Sequence, residues 1–369
     1  MALQRLSIFA PSLGGGGAER VMCMVANGLA ARGVDVTLVL CQASGSYLAD
    51  VDPRVRVVDL GASSMPRALL PLVRHLRQSR PTALLAAMSH ANVTAALAHR
   101  ITRSRSQLFL SEHAHLSSVL MAYPGWRMRA TALMMRWTYP RADRIVSVSE
   151  GVASDLLQRI PLQAERLVTI YNPVVDDTLL ARANAQPACA WLSARAPCDP
   201  PVVLAAGRLV PQKDFATLIE AFALLRRTRP ARLLILGEGD LRASLTAQVA
   251  RLGLEKDVAL PGFEPNPFSA MRAAQLFVLS SRFEGLGCVL IEAMACGTPV
   301  VSTDCPSGPH EVLEGGRWGR LVPVGDVAAL AEAMGAALDD ARPPDVTLRA
   351  EDFSVARAVE RYARELGVT

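Results

Sequence analysis

The sequence predicts two doubly wound α/β domains in tandem. Its 369 residues exceed what one ordinary core needs, since domains hold about 100–200 residues each. Short β-branched or Leu-rich runs alternate with longer helical stretches, a pattern typical of right-handed crossovers on a parallel sheet. The alternation breaks once, over residues 181–201, where Ala and Pro are frequent and neither a strand nor a long helical period continues.

We therefore expect a first domain at 1–180, a linker at 181–201, a second domain at 202–350, and a helix within 351–369 that packs back on the first domain. In the first domain a helix begins at Ala18, and the predicted strands are 6–10, 34–40, 55–60, 83–88, 107–110, 145–148 and 167–171. In the second domain the strands are 202–206, 233–236, 258–260, 276–279 and 299–302. The helices of this half are 214–228, 240–252, 287–296, 326–340 and, last, about 352–366. Open α/β sheets bind ligands beyond the carboxyl ends of their strands, so two such sheets are expected to face each other across a binding cleft.

Composition and charge exclude several classes of protein. No apolar run approaches the roughly 18 residues of a membrane span, and the first residues lack the ordered regions of a secretory signal. The seven cysteines form no C-x-x-C pair or zinc cluster, which favours a reducing cytoplasm. Residues 1–180 hold 19 Arg against 12 acids, net +7, whereas residues 181–369 hold 20 basic against 22 acidic residues, net −2. The basic half is the one expected to meet an anionic partner.

A run of four glycines, residues 14–17, stands between the first strand and its helix. Glycine lets a backbone approach a ligand, and a helix N-terminus offers free N–H groups to a phosphate; a plain tight turn is the alternative. The run does not fit G-x-G-x-x-G, because the third glycine would fall on Glu19 or Arg20. The second strand also ends without the acid that binds an NAD ribose, so a dehydrogenase is disfavoured.

Arg208 and Lys213 follow the first strand of the second domain, in the segment G-R-L-V-P-Q-K-D. A guanidinium fork and an ammonium group can converge on one diphosphate. Spacing alone equally allows two solvated cations near a helix whose N-cap is Asp214.

The most specific segment is 283–294, which reads FEGLGCVLIEAM. Gly285 and Gly287 open a helix whose N-terminus can receive a phosphate, with Glu284 just before it and Glu292 about two turns in. Carboxylates accept hydrogen bonds from pairs of sugar hydroxyls. The alternative is an acid that favours the helix dipole and a second acid on the surface, but Glu292 lies in an apolar stretch, which disfavours exposure.

In this order, the segments resemble the retaining GT-B glycosyltransferases of family 4, which transfer sugars from nucleotide donors. The resemblance covers essentially the whole chain and includes L-G-E-G at 236–239, P-G-F at 261–263 and E-G-L-G-x-x-x-x-E-A-M-A-C-G-T-P-V-V from Glu284. It implies the GT-B fold, two Rossmann-like domains facing across a cleft, with the acceptor on the first and the nucleotide sugar on the second.

The resemblance implies a role for each matching residue. Arg208 and Lys213 correspond to the pair that holds the donor diphosphate and stabilises the leaving nucleotide. Glu284 corresponds to the first acid of the E-x7-E motif, on hydroxyls of the donor sugar, and Glu292 to the second, on the ribose. The backbone that would meet the sugar and phosphate is that of Gly285, Leu286 and Gly287.

Further positions follow from the same resemblance. The base would meet the backbone of Gly262 and Phe263. His113, in S-E-H after a strand, resembles the family's residue near the donor sugar, although a lone histidine is more often structural. The glycines that would approach the leaving group from the first domain are Gly15, Gly16 and Gly17.

The implied reaction retains the anomeric configuration, with the acceptor hydroxyl attacking on the face from which the phosphate leaves. Arg208, Lys213 and a helix N-terminus can neutralise the departing diphosphate, so we expect no metal and no cofactor, the nucleotide sugar being a substrate. The single D-x-D, residues 50–52, precedes Pro53 in a loop and is interpreted as turn chemistry. A UDP-sugar is the expected donor, with guanosine left open.

The segment 302–314 is similar to family members that extend sugars on polyprenyl diphosphate carriers, so a lipid-linked or glycan acceptor in polysaccharide or glycoconjugate synthesis is expected. Residues 126–144 mix five Arg with Trp, Met and Tyr, which is typical of a helix on an anionic membrane or of a sheet-packed helix with a solvated face. The expected location is cytoplasmic, peripheral on the inner face of the membrane. No nucleic-acid partner is expected, because no recognised motif accompanies the charge.

Two alternatives share the fold. A GT-B sugar-nucleotide epimerase would need an acid/base set for proton transfer at C2, which we do not identify. A non-catalytic nucleotide-sugar-binding homologue stays an open alternative, although Arg208, Lys213, Glu284 and Glu292 are all present.

Overall fold

The computed structural model describes residues 5–14, 16–194, 196 and 199–368. The chain divides into two compact units: unit 1 comprises the residues up to Pro173 together with those from Val355, and unit 2 runs from Val174 to Ser354. The division falls at 173–174 and not at 180, because Asp176 caps a helix, Asp177–Ala183, that packs within unit 2. The predicted range 181–201 thus lies inside unit 2, and its residues Arg195, Pro197 and Cys198 are outside the described part.

Unit 1 contains a parallel sheet of seven strands in the order β3-β2-β1-β4-β5-β6-β7. The strands are β1 Arg5–Ala10, β2 Asp35–Leu40, β3 Arg56–Asp59, β4 Ala83–Ala87, β5 Gln107–Glu112, β6 Arg144–Ser147 and β7 Leu167–Thr169. All seven predicted strands are present, with ends that differ by at most two residues. The strand order reverses at β1 and β4, the switch point at which open sheets bind ligands.

The helices that connect these strands are α1 Gly17–Ala31, α2 Met65–Ser79, α3 Ser89–Thr102, α4 Leu116–Ala122, α5 Trp126–Thr138 and α6 Glu150–Arg159. Strands β1, β2 and β4 lie at the centre of the sheet, and their side chains Ile8, Leu38 and Leu85 are fully buried. Buried on both faces, such strands read as continuous apolar runs, which is why they were predictable.

Unit 2 contains a second parallel sheet, with the strand order β10-β9-β8-β11-β12-β13. The strands are β8 Val202–Ala206, β9 Arg232–Leu236, β10 Val258–Gly262, β11 Leu276–Leu279, β12 Val300–Thr303 and β13 Arg320–Val322. The helices are α7 Asp177–Ala183, α8 Ala190–Ser193, α9 Phe215–Thr228, α10 Arg242–Arg251, α11 Pro267–Ala273, α12 Cys288–Ala295, α13 Pro309–Val312, α14 Val327–Leu338 and α15 Val346–Ala350. Strand β13 was not predicted, because three residues are too few to display a period.

The last helix, α16 Val355–Glu365, belongs to unit 1 and packs on α1. Gly28 of α1 makes the close approach possible, since a Cβ there would lie 2.3 Å from a methyl of Val359. Tyr362, 2% exposed, joins the core and lies 3.4 Å from the Ser111 hydroxyl, oxygen to oxygen. Among the described residues, no helix combines the length and apolar character that crossing a membrane requires.

Candidate active site

Loops at the carboxyl edge of the unit 2 sheet are joined by backbone hydrogen bonds. The Leu209 N–H donates to the Glu238 carbonyl at 2.8 Å, and the Gly237 N–H donates to the Gly262 carbonyl at 2.7 Å. Gly237 has a φ of 138°, and a Cβ there would lie 2.0 Å from the carbonyl oxygen of Gly207. The L-G-E-G segment therefore needs glycine where the β8 loop passes against its backbone.

Lys213 and Glu284 form an ion pair at this edge. Lys213 Nζ donates to Glu284 Oε1 at 2.5 Å, and the Ser281 hydroxyl donates to the same oxygen at 2.6 Å. The two charged side chains are only 14% and 9% exposed, so solvent screens their attraction weakly. Lys213 follows β8 and Glu284 follows β11, which are neighbours in the sheet. The sequence indicated separate roles for these residues, and the structure places them in direct contact.

Arg208 lies on the same loop as Lys213 but is exposed. In the part of the chain that the structure describes, its guanidinium has no hydrogen-bond or ion-pair partner. The loop after β8 thus holds one paired and one unpaired cation. An unpaired guanidinium keeps its fork of donors available to an anion.

Helix α12 begins after Gly287, an N-cap with a φ of 86°. The carbonyl of Gly285 accepts a hydrogen bond from the Ser307 hydroxyl at 2.7 Å, and Leu286 is 2% exposed. Glu292 is the fifth residue of α12, so it lies just over one turn in and not the two that we expected. It is 9% exposed, in agreement with its apolar sequence surroundings.

The predicted base-binding loop follows β10. Gly262 has a φ of 111°, and the Phe263 side chain is 74% exposed. Arg242 donates to the Leu260 carbonyl at 2.9 Å and to both carboxylate oxygens of Glu238. The end of β10 is therefore anchored from α10, while the phenyl ring that follows it projects into solvent.

In unit 1, the glycine loop is closed by a side chain. The Gly16 N–H donates to Glu19 Oε2 at 2.8 Å, and the Ser12 hydroxyl donates to Glu19 Oε1 at 3.0 Å. The expectation of a free N–H at Gly16 does not hold in this structure, because Glu19 occupies it as part of a capping box. Gly17 is exposed as the first residue of α1, and Gly15 lies outside the described residues.

His113 comes directly after β5, close to the switch point. Its Nε2 lies 3.0 Å from the Ser111 hydroxyl, and its Nδ1 is buried with no partner among the described residues. Burial lowers the pKa of His113 to about 4, so the ring is neutral at physiological pH. A neutral imidazole offers one donor and one acceptor, and not a charge.

Glu112, which sequence reasoning missed, is 1% exposed beside His113. It accepts hydrogen bonds from the Tyr139 hydroxyl at 2.7 Å, the Ser89 hydroxyl at 3.0 Å and the His113 N–H at 3.2 Å. Asn92 in turn donates to the Tyr139 hydroxyl at 3.0 Å. Burial raises the pKa of Glu112 to about 7, although its hydrogen bonds partly oppose that rise. The sequence signal for Glu112 was an acidic residue directly after an apolar strand, between the polar residues Ser111 and His113.

Two buried cysteines lie near the acidic residues of the unit 2 edge, Cys296 near Glu292 and Cys305 near Glu284. Burial first, and then a neighbouring carboxylate, raises the pKa of Cys296 and of Cys305 to about 12, so both thiols stay protonated. Among the described residues, no three His, Cys, Asp or Glu side chains are grouped to hold a metal ion. In the D-x-D segment, Asp52 accepts hydrogen bonds from the backbone and guanidinium of Arg54 at 2.9 Å, which is turn chemistry as predicted.

Helix α5 exposes an apolar face. Trp126, Leu133 and Trp137 are 75%, 68% and 52% exposed, and at about 100° per residue they fall on one side of the helix. The opposite side carries Met135, which is fully buried against unit 1. The exposed arginines that accompany this face are Arg127, Arg129, Arg136 and Arg141.

Comparison with known families accounts for both halves of the chain. A model described as Glycosyltransferase Family 4 matches residues 15–178, and one described as Glycosyl transferases group 1 matches residues 200–340. A lipopolysaccharide core biosynthesis glycosyltransferase of Rhizobium meliloti is 31% identical over 325 residues, 86% of this chain and 84% of that protein.

A second relative comes from Campylobacter jejuni. It is an N-acetylgalactosamine-N,N'-diacetylbacillosaminyl-diphospho-undecaprenol 4-alpha-N-acetylgalactosaminyltransferase, 29% identical over 92% of this chain and 91% of its own. Among solved structures, Anabaena HepE in complex with UDP and glucose superposes with a TM-score of 0.80 at 22% identity, covering 99% of both chains. At that identity the superposition shows the fold, which is GT-B.

Proposed function

The chain belongs to the glycosyltransferases of family 4, and we propose that it transfers a sugar from a UDP-sugar to a lipid-linked glycan, with retention and without a metal. The observation that supports this most directly is the Lys213–Glu284 pair beside the unpaired Arg208, at the carboxyl edge where such sheets bind ligands. Cations and a carboxylate at one edge suit a ligand that combines a diphosphate with hydroxyls.

In this proposal each part of the donor is bound by different residues. Arg208 and Lys213 bind the diphosphate, and Glu284 accepts hydrogen bonds from hydroxyls of the transferred sugar. Glu292 accepts from the ribose. The backbone N–H groups that meet sugar, phosphate and base belong to Gly285, Leu286, Gly287, Gly262 and Phe263.

In the reaction, the bond from the anomeric carbon to the diphosphate oxygen breaks and a bond to the acceptor oxygen forms on the same face. The acceptor proton passes to an oxygen of the leaving phosphate. Arg208 and Lys213 stabilise the negative charge that develops on the leaving diphosphate, which makes a metal unnecessary in this proposal.

In unit 1, His113 faces the donor sugar in this proposal as a neutral hydrogen-bonding group. Gly17 and the neighbouring glycines approach the leaving group, and Glu19 would release the Gly16 N–H to it. A glycine loop that already binds one carboxylate has the geometry to accept an anionic oxygen.

The acceptor is proposed to be lipid-linked, as in the name of the Campylobacter relative. The exposed face of α5, with its tryptophans and four neighbouring arginines, suits peripheral contact with an anionic membrane. Contact there would bring unit 1 to the surface that holds a lipid carrier.

Calorimetric binding of UDP, GDP, ADP and NAD, with and without EDTA, tests the donor site. We expect UDP to bind, NAD not to bind, and EDTA to have no effect. Binding of NAD alone, or of no nucleotide, contradicts the proposal, and loss of binding in EDTA contradicts metal independence. Proton NMR of the product's anomeric coupling, against that of the donor, then tests retention.

A further inference from the structure

Two charged residues with no assigned contact to the donor, Asp214 and Arg282, join the loops that contain Lys213 and Glu284. Arg282 Nε donates to Asp214 Oδ2 at 2.9 Å, and Nη2 donates to Oδ1 at 3.2 Å. The Asp214 side chain is 4% exposed and that of Arg282 57%. A bidentate pair fixes the orientation of both groups as well as their distance.

Asp214 adopts a backbone conformation that is uncommon for a residue with a side chain. Its φ is 48° and its ψ 43°, in the left-handed region, where strain accumulates at functional sites. It is the N-cap of α9, yet its side chain makes no capping hydrogen bond. An Asp at this position ordinarily binds the first N–H groups of the helix. Here the carboxylate binds Arg282 instead, so α9 lacks a side-chain cap and the two loops gain an ion pair.

Three further hydrogen bonds run between the same two loops. The Arg282 N–H donates to the Gln212 carbonyl at 2.8 Å, and the Gln212 side chain donates to the Phe283 carbonyl at 2.9 Å. The Ser280 hydroxyl donates to the Lys213 carbonyl at 2.7 Å. Every contact thus joins Lys213 or an adjacent residue to a residue that precedes Glu284 by at most four positions.

We propose that Asp214 and Arg282 are positioning residues, whose ion pair holds Lys213 and Glu284 at the separation that a nucleotide sugar requires. The inference rests on the proposed function, because it takes Lys213 and Glu284 as donor ligands. Side chains that are already held in position bind a ligand more tightly, because the entropy cost of ordering them is incurred on folding and not on binding. Loosening the two loops therefore lowers affinity for the diphosphate even when every donor-binding side chain is present.

The test separates positioning from stability with a double variant. Arg282→Ala leaves the buried Asp214 carboxylate unpaired, which destabilises the fold. Asp214→Asn in the same chain removes that charge, and Asn tolerates the left-handed conformation. We expect the double variant to recover the melting temperature of the wild type but to bind UDP roughly tenfold more weakly in calorimetry.

Arg320→Ala is the matched control. Arg320 pairs with Asp340 at 3.4 Å in the same unit, but it is the first residue of the edge strand β13 and thus lies at the opposite end of the sheet from the loops. UDP affinity should be unchanged in this variant. Arg282→Lys is the second probe, since it keeps a cation for Asp214 and loses only the fork; we expect weaker UDP binding at near-normal stability.

The outcomes distinguish the two proposals. If the double variant and Arg282→Lys both bind UDP as tightly as the wild type, the positioning role is wrong and the donor site stands. If the wild type itself binds none of UDP, GDP and ADP, the proposed function fails, and the positioning role fails with it.

Discussion

The carboxyl edges of the two sheets hold their polar side chains in different ways. In unit 2, opposite charges pair: Lys213 with Glu284, and Asp214 with Arg282. In unit 1, the buried carboxyl of Glu112 is bound by hydroxyl and amide donors, and its neighbour His113 is neutral. The unit 2 edge is organised by ion pairs, whereas Glu112 of the unit 1 edge is held by hydrogen bonds from uncharged donors.

The difference indicates what each edge is suited to bind. An ammonium held by a carboxylate can turn to an incoming diphosphate, because the attraction between opposite charges depends weakly on direction. A network of directional hydrogen bonds has less freedom to exchange partners and serves as a rigid frame. The comparison therefore favours an anionic ligand at the unit 2 edge and hydroxyl-bearing groups at the unit 1 edge.

Removing the charges of the unit 2 edge should have the largest effect. Lys213→Ala and Glu284→Gln should each lower kcat/KM roughly 10²–10³-fold, since in the proposal Lys213 stabilises the departing diphosphate and Glu284 orients the donor sugar through its hydroxyls. Sugar transfer measured with radiolabelled donor gives the rate, and circular dichroism verifies the fold.

Lys256→Ala is the control for that experiment, because Lys256 is exposed and is the only other lysine of the chain. Near-normal turnover in either Lys213→Ala or Glu284→Gln would contradict the assignment of the donor site.

The buried side chains of Glu112 and His113 in unit 1 should make the stability of the protein depend on pH. The pKa of Glu112 is raised from 4.5 to about 7, so between these values the folded chain holds a proton that the unfolded chain has lost, and stability falls as pH rises. The pKa of His113 is lowered from 6.5 to about 4, so stability rises with pH in that window. In the wild type the two slopes oppose each other.

Glu112→Gln should therefore expose the His113 slope, with a melting temperature that climbs from pH 4 to 6.5 more steeply than in the wild type. The removed contribution of Glu112 is about 3 kcal/mol across its window. His113→Gln should expose the opposite slope. Parallel pH profiles for all three proteins would show that the burial of Glu112 and His113 does not govern their titration.

The exposed apolar face of α5 offers a third test, with a smaller expected effect. Leu133→Ser should weaken binding to vesicles that contain phosphatidylglycerol by about tenfold, because one leucine leaves the apolar face of α5. Sedimentation at low and high salt measures it, since the arginine contribution is screened by salt.

Leu70→Ser is matched to it, because Leu70 is 66% exposed against 68% for Leu133 and lies on a different helix, α2, of the same unit. Equal binding by the two variants would remove α5 as the membrane-facing element.

The smallest effect is expected at Phe263. If the base is bound through backbone, Phe263→Ala should change UDP affinity by less than about threefold, as for other exposed side chains. Gly262→Ala should cost more, because its φ of 111° disfavours any residue with a side chain. A larger loss for Phe263→Ala than for Gly262→Ala would instead indicate that the phenyl ring stacks on the base.

Much of the fold was predictable because the sheets are parallel and buried. Strands such as β8, Val202–Ala206, are apolar throughout, and the predicted and observed bounds coincide. The position of the loops after them, together at one edge of each sheet, was predictable from topology alone. Strand β13 was missed, since its pairing with β12 is set by the sheet and not by its own three residues.

Within the candidate site, the sequence predicted functional residues but not which of them are in contact. The Lys213–Glu284 contact joins positions 71 residues apart, and no local pattern encodes it. One of the two interpretations left open by the sequence made Asp214 a helix cap; it does occupy the N-cap position, but its carboxylate binds Arg282 and not the helix N–H groups. Glu112 was not predicted as a site residue because the polar triplet S-E-H is typical of a loop. In the structure, the first two residues of this triplet are the end of β5.

Helix α16 also bears on how the protein is made. Unit 1 begins with the first strand of the chain but includes a helix that is synthesised only after all of unit 2. During translation, the apolar surface of α1 therefore stays uncovered until α16 has been synthesised. By that time the sequence of unit 2 is complete. A released chain truncated before Val355 should contain a protease-resistant unit 2 and a protease-sensitive unit 1, because only unit 1 lacks one of its helices.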